Sequence, residues 1–173
     1  MKLAASSRTL GEAAIEMGAA PITLTPSDLY EAQNRRVVDG ILVAWTAVKT
    51  FKLDDVTKDH LQLPLGEAPA FVFMNKSAYD ALPAQAKAAI DKYSGESFSD
   101  RLGLANEHAN RAEAQHVASL AGQSVAKLSA EQYPLWEKRI RPVIEQWVKA
   151  TPDGAKLLAA FQEELKKAPQ TSE

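Results

Sequence analysis

The sequence contains no cysteine. Disulfides, thiolate metal sites and cysteine nucleophiles are therefore excluded, and an oxidising compartment is compatible with the chain without being demonstrated by it. No apolar run approaches the ~20 residues that cross a bilayer as a helix. The opening Met1-Lys2-Leu3-Ala4-Ala5 begins like a leader, but Ser6, Ser7, Arg8, Glu12 and Glu16 interrupt any apolar stretch behind it, so no export signal is expected here. A dominant charge is missing too: the net charge of -2 gives no reason to expect nucleic acid or an anionic membrane surface as partner. The few histidines are His60, His108 and His116. A metal-binding helix prefers ligands at i and i+4; His108 and His116 are spaced more widely, so they are read as solvated helix residues. No glycine-rich phosphate loop and no Gly-x-Ser-x-Gly elbow occurs, and the acidic residues are scattered over helix faces. With no nucleophile, base or metal set in view, neither an enzyme nor a cofactor is expected.

What is present is a chain of 173 residues, 46% apolar and 24% charged, which suits one soluble domain or two small lobes. Its most informative stretch runs from Gly18 to Trp45. Leu3 to Ala5 reads as a short strand and Arg8 to Met17 as a helix, with Leu10, Ala14 and Met17 on one side. Gly18 ends that helix in a left-handed turn. Pro21 to Leu24 is the next strand. Thr25 is an N-cap, Pro26 fits the first helical position and Asp28 sits where a capping-box acid would, opening a helix to about Arg35. Asp39-Gly40 signals a turn, and Ile41 to Trp45 is a continuous apolar run, as expected of a strand end buried on both faces. The alternation is the βαβ pattern of a parallel sheet.

Farther on, Thr46 to Leu53 contains a short helix and His60 to Leu65 is extended. Ala70-Phe71-Val72-Phe73-Met74 reads as a strand, and Asn75 or Ser77 as the cap of the helix after it. Pro83 opens a long helical segment, Ala84 to Ala121, with a break expected near Ser94-Gly95. Ser124 to Leu128 is a strand candidate. Ser129 caps a helix reaching Trp147, which Pro142 is expected to kink or divide, and Asp153 to Lys167 is a terminal amphipathic helix. Trp136 and Trp147 are expected to pack in the core. Trp45 lies just past the carboxyl end of a parallel strand, where open α/β sheets place ligands; a ligand wall and plain core packing both stand as readings. Arg8, between the first strand and first helix, is either a guanidinium fork for a carboxylate or an exposed helix-start arginine.

The words of the sequence resemble one family, the extracytoplasmic solute-binding proteins of TRAP transporters, DctP type. Gly18-Ala19-Ala20-Pro21, Tyr30-Glu31-Ala32 and Val37-Val38-Asp39-Gly40 are similar to its central block. Lys2-Leu3 is similar to its Lys-Ile-Arg-x-Pro strand, and Phe51-Lys52-Leu53-Asp54-Asp55-Val56-Thr57-Lys58 to a Phe-Lys-Leu-x-Glu-Val-x-Lys-Tyr segment. Met74-Asn75-Lys76 with Leu82-Pro83, and Pro142-Val143-Ile144-Glu145-Gln146-Trp147, match further words in the same order. The resemblance implies a two-lobed, periplasmic-binding-protein-like α/β fold that closes over a small carboxylate and delivers it to TRAP membrane permease subunits. It implies a periplasmic location for the full-length protein, and that the chain is the carboxyl-terminal half, the amino-terminal half being absent.

On that resemblance residues 1–67 form the α/β ligand-binding lobe, a central, mostly parallel sheet flanked by helices. Residues 68–106 supply a crossing strand and helix of the other lobe, 107–167 are long carboxyl-terminal helices packing back on the first, and 168–173 are a disordered tail. The family's anchoring arginine falls on Ala4, its proline on Ser6, a second arginine of many members on Arg8, a ligand-binding asparagine of some on Val43 and its tryptophan on Trp45. A homodimer or domain-swapped assembly is expected, since the strand at Ala70 to Met74 would lack its partner lobe. The competing reading is a truncated remnant that keeps the lobe and binds no solute, acting as an interaction or structural protein.

Overall fold

A computed structural model describes residues 1–63, 65, 66 and 70–167. The contacts divide it into two units: Met1–Leu42 with the described residues from Leu128 onward, and the described residues of Val43–Lys127. The divisions fall at Leu42/Val43 and Lys127/Leu128. The tail expected at 168–173 lies outside the described residues.

The first unit holds β1 (Lys2–Ala5), α1 (Arg8–Glu16), β2 (Ala20–Thr23), α2 (Leu29–Asn34) and β3 (Gly40–Leu42). These build a parallel sheet in the order β2-β1-β3, as the alternation of short apolar runs and capped helices requires. Ser7 caps α1, its hydroxyl accepting from Leu10 N at 3.2 Å. Gly18 turns the chain at φ 82°, a conformation that costs a side-chain-bearing residue and glycine little. Thr25 begins a 3-10 turn over Pro26–Asp28, and its hydroxyl donates to the Asp28 carboxylate at 2.6 Å instead of capping a backbone N–H. Asp39 reaches back to accept from Lys2 N at 2.6 Å, which pins the approach to β3 beside the start of β1. Two long helices complete the unit, α7 (Tyr133–Ala150) and α8 (Gly154–Lys167). Ser129 and Gln132 form a reciprocal capping box before α7, Ser129 N donating to Gln132 Oε1 at 3.0 Å and Gln132 N to Ser129 Oγ at 3.3 Å. The helix runs unbroken through Pro142, so the expected division does not occur; the missing N–H leaves one carbonyl of the preceding turn without its helical donor. Arg139 Nε donates to the carbonyl of Glu16, tying α7 to the end of α1. Ala4, Ala5, Ala13, Ala14, Leu29 and Val38 are sealed from water.

The second unit holds α3 (Trp45–Thr50), β4 (Asp59–Gln62), α4 (Lys76–Asp80), α5 (Ala84–Tyr93), α6 (Glu96–Ser119) and β5 (Ser124–Lys127). Here β4 and β5 pair in parallel, and no third strand joins them among the described residues. The long helical segment is broken at Gly95, φ 75°, as the Ser94-Gly95 signal predicts. Asn75 caps α4, accepting from Ser77 N at 2.9 Å. Buried residues are few: Val48, Leu53, Glu113 and Val117.

Three expectations are corrected. Ala70 to Met74 is not a strand but irregular chain, with Phe71, Val72, Phe73 and Met74 all open to water and Phe73 89% exposed. Its aromatic and β-branched residues favour a strand only where a neighbour pairs with and covers them, and none does among the described residues. Ile41 to Trp45 is not strand throughout: β3 ends at Leu42 and Trp45 opens α3. Trp147 is not core; it stands 44% exposed on α7, while Trp136 is half-buried.

Candidate functional site

In the first unit the strand order places a topological switch point at the carboxyl ends of β1 and β3. From β1 the chain moves to β2 on one side, then crosses to β3 on the other, and open α/β sheets bind ligands outside the carboxyl ends where the order reverses. Ala5 and Leu42 are register partners, so these two strand ends lie side by side. Three candidate residues sit at or just beyond this end. Ala4 is inside the sheet, 0% exposed, paired with Ile22 on one flank and Ile41 on the other. It offers a ligand neither charge nor reach. Ser6 is exposed on the link to α1. Arg8 begins α1 with a side chain 91% exposed, and its Nε is held by Glu12 Oε1 at 2.8 Å one turn on. That is the geometry of an exposed helix-start arginine; a solute carboxylate would compete with Glu12 for it, for an ion pair that water keeps weak.

Val43 and Trp45 belong to the second unit. Val43 is exposed and Trp45 half-buried. Trp45 packs on His60 of β4, ring centroids 5.6 Å apart and planes tilted by 39°. The structure thus separates the candidates into a serial group, Ala4, Ser6 and Arg8, in one unit and the pair Val43 and Trp45 in the other.

Sequence reasoning gave His60 no role, and the structure gives it one. His60 Nε2 lies 2.9 Å from Gln123 Oε1. Gln123 Nε2 donates to two backbone carbonyls, Asp54 O at 2.8 Å and Thr57 O at 3.0 Å. Carbonyls only accept, so the amide orientation is settled by the network, and Gln123 Oε1 must accept from His60. The neutral ring therefore carries its proton on Nε2 and keeps Nδ1 as a free acceptor. The arrangement ties Trp45, His60 and the turn at Asp54–Thr57 to the start of β5. Only Gln123, a lone polar residue before a short strand, could have signalled it, and nothing in the sequence pairs it with His60.

A second feature of this unit is a cavity of about 480 Å³ between α3 and α6. Lys49 and Thr50 line it from α3, and Ala109, Ala112, Glu113 and His116 from α6. His108, two turns before His116, is exposed. No group of three metal-ligating side chains occurs among the described residues.

The sequence model of the bacterial extracellular solute-binding protein family 7, DctP, matches residues 1–150. The C4-dicarboxylate-binding periplasmic protein DctP of Rhodobacter capsulatus is 28% identical over 157 residues, 91% of this chain and 46% of that protein. Among solved structures, a marine metagenome TRAP solute-binding protein from an unidentified microbe, described as specific for aromatic acid ligands, superposes with a TM-score of 0.86 at 22% identity. It is covered over 56% of its length by 98% of this chain. A TRAP solute-binding protein of Rhodoferax ferrireducens T118, solved with copurified benzoate, gives 0.84 at 24% identity, with 96% of this chain and 54% of that one covered. The chain spans about half the length of the relatives it matches.

Proposed function

The chain belongs to the bacterial extracellular solute-binding protein family 7, and from that premise we propose that it supplies about half of a TRAP-type solute-binding protein that captures a small organic acid for uptake. The observation that carries the reading is the family match over residues 1–150, on a first unit whose parallel sheet has a switch point at the end of β1. The relatives are solute-binding receptors, not enzymes, and their descriptions name C4-dicarboxylates and benzoate. The solute of this protein is accordingly a small carboxylate, its partners the membrane permease subunits, and its place the periplasm. No helix among the described residues is long and apolar enough to cross a membrane.

A carboxylate is held firmly only where a site excludes water around its ion pair. This chain has its nearest arginine exposed and occupied by Glu12, so binding by the chain alone is weak and routed through Arg8. The open run Phe71–Met74 favours association, as a homodimer or domain-swapped assembly, because exposed apolar chain with strand propensity seeks a pairing edge. The second reading, a remnant that binds no solute, draws on one observation: Ala4, where the family's anchoring arginine would fall, is fully enclosed.

Calorimetry with C2 to C6 aliphatic acids and benzoate separates the two. The solute-binding reading expects dissociation constants of about 1 mM or weaker that weaken further in Arg8→Ala. No heat for any acid up to tens of millimolar supports the remnant, and tight binding unaffected by Arg8→Ala contradicts the site assignment.

A further inference from the structure

We propose that the cavity between α3 and α6 is a binding site for a primary ammonium group, with the carboxylate of Glu113 as its anchor. The site is distinct from the strand end discussed above and does not depend on the solute-binding reading.

Glu113 is 5% exposed and is the one buried charged residue among the described residues. A carboxylate withdrawn from water is costly unless it gains a cation or hydrogen-bond donors. Glu113 has no hydrogen bond and no ion pair among the described residues, and the surrounding groups are committed elsewhere. Glu107, earlier on α6, pairs with Arg111 at 2.7 Å. Asn110 accepts from Thr46 N at 3.1 Å and donates to Asn106 O at 3.0 Å. The Thr50 hydroxyl donates to Thr46 O at 2.7 Å. Nor is the carboxylate sealed in: the fully enclosed side-chain polar atom without a partner among the described residues is Gln33 Oε1, not an oxygen of Glu113. Glu113 therefore meets the cavity that it lines, as an acceptor with nothing to accept from.

An ammonium supplies what is missing, with three donors and a compensating charge. Beside the carboxylate, Ala109 and Ala112 give an apolar flank for a short aliphatic stem. Lys49 and His116 also line the cavity, but neither stands within 4.0 Å ion-pair distance of Glu113. A free amine and the side chain of a lysine carry the same group.

The test is ligand-observed NMR of this chain with n-butylammonium, 1-butanol as neutral twin, butyrate as anionic twin, and Nα-acetyl-lysine methylamide. We expect n-butylammonium to bind, butanol and butyrate to bind at least about tenfold more weakly, and Glu113→Gln to lose a similar factor. Glu113→Gln should keep or raise the melting temperature, since it removes an uncompensated buried charge, and this separates loss of a site from loss of fold. Lys49→Met should leave the affinity unchanged or improve it. Binding of the lysine amide as well as butylammonium points to a docked polypeptide as the source, and binding of butylammonium alone to a small amine; both outcomes support the site. Equal binding of butanol and butylammonium, full affinity in Glu113→Gln, or no butylammonium binding would each overturn it; in the last case a lower melting temperature in Lys49→Met would show that Lys49 already serves Glu113.

Discussion

In the unit built on β1, β2 and β3, Ala4, Ala5, Leu29 and Val38 are closed off from water, whereas in the unit built on β4 and β5 the run Phe71–Met74 lies open. The first sheet has a strand flanked on both sides, and α1 and α2 bury Ala13, Ala14, Leu29 and Ala32, while Leu157, Phe161 and Leu165 of α8 stay open to water. The second has two strands, each with one half-buried residue and the rest exposed. Two paired strands are marginal by themselves; three strands or a covering layer are needed to bury a face. The difference teaches that the two regions are not equally self-sufficient. One carries its own core, and the other presents apolar side chains and sheet edges suited to a neighbour, as fits a chain spanning about half of its relatives' length.

The largest expected effect comes from forcing a charge into each region. Ala4→Arg places a guanidinium at a fully enclosed position and should cost about 3–5 kcal/mol, seen as loss of the folding transition or a steep drop in the denaturation midpoint. Phe73→Asp, at a position 89% exposed, should change stability by no more than about 0.5 kcal/mol while reducing self-association in sedimentation. If both substitutions cost the same, the contrast between the units fails.

A methyl group gives the next test, with opposite signs. At Gly154, which opens α8, an added Cβ would stand 2.5 Å from the carbonyl oxygen of Val148, so Gly154→Ala should destabilise by about 1–3 kcal/mol. Gly103, inside α6, has nothing within 4 Å of the same atom, so Gly103→Ala should stabilise by about 0.5–1 kcal/mol through helix propensity. Thermal melts of the two variants decide it.

Of similar size is the effect of releasing His60. Gln123→Leu removes the acceptor that holds Nε2–H and leaves the carbonyls of Asp54 and Thr57 without their donor. The expected cost is about 1–3 kcal/mol, and nitrogen-15 spectra of the imidazole should lose the preference for the Nε2–H form. A ring that prefers Nδ1–H in the wild type would contradict the assigned network.

The smallest effect concerns Glu131, whose carboxyl is held below its ordinary value by the hydrogen bond from the Ser129 hydroxyl, with its own backbone N–H assisting. A carboxyl lowered by folding favours the folded state above its unfolded value and loses that contribution as pH falls through the folded one. Ser129→Ala should return the Glu131 titration toward the usual carboxylate range in an NMR titration and leave the neutral-pH fold intact.

The first unit was legible because its signals are local. Thr25-Pro26 at a helix start, Gly18 at a helix end and the short apolar runs between them act within a few residues, and β1, α1, β2, α2 and β3 follow them closely. Gly95, Asn75 and Ser129 were legible for the same reason. Ala70 to Met74 was not, because strand propensity states what a segment favours when paired, and pairing is a tertiary fact. Trp147 misled similarly: an aromatic on a helix face predicts burial only if something covers that face. At the candidate site, the resemblance located Ala4 and Arg8 but not their fates, since the burial of Ala4 follows from its place in the centre of a three-stranded sheet and the engagement of Arg8 from Glu12 one turn on. The link from His60 to Gln123 joins residues far apart in sequence, and no periodicity encodes it.

That the sheet of β1, β2 and β3 is covered within its own unit while Phe71–Met74 awaits a covering partner is tested most directly by hydrogen exchange resolved along the chain at submicromolar protein and again at tens of micromolar, the range in which exposed apolar segments associate. Amides of β1 and its neighbours should be strongly protected at both concentrations, while those of Phe71–Met74 should exchange freely in the dilute sample and slow in the concentrated one. Protection of Phe71–Met74 equal to that of β1 in the dilute sample would contradict it.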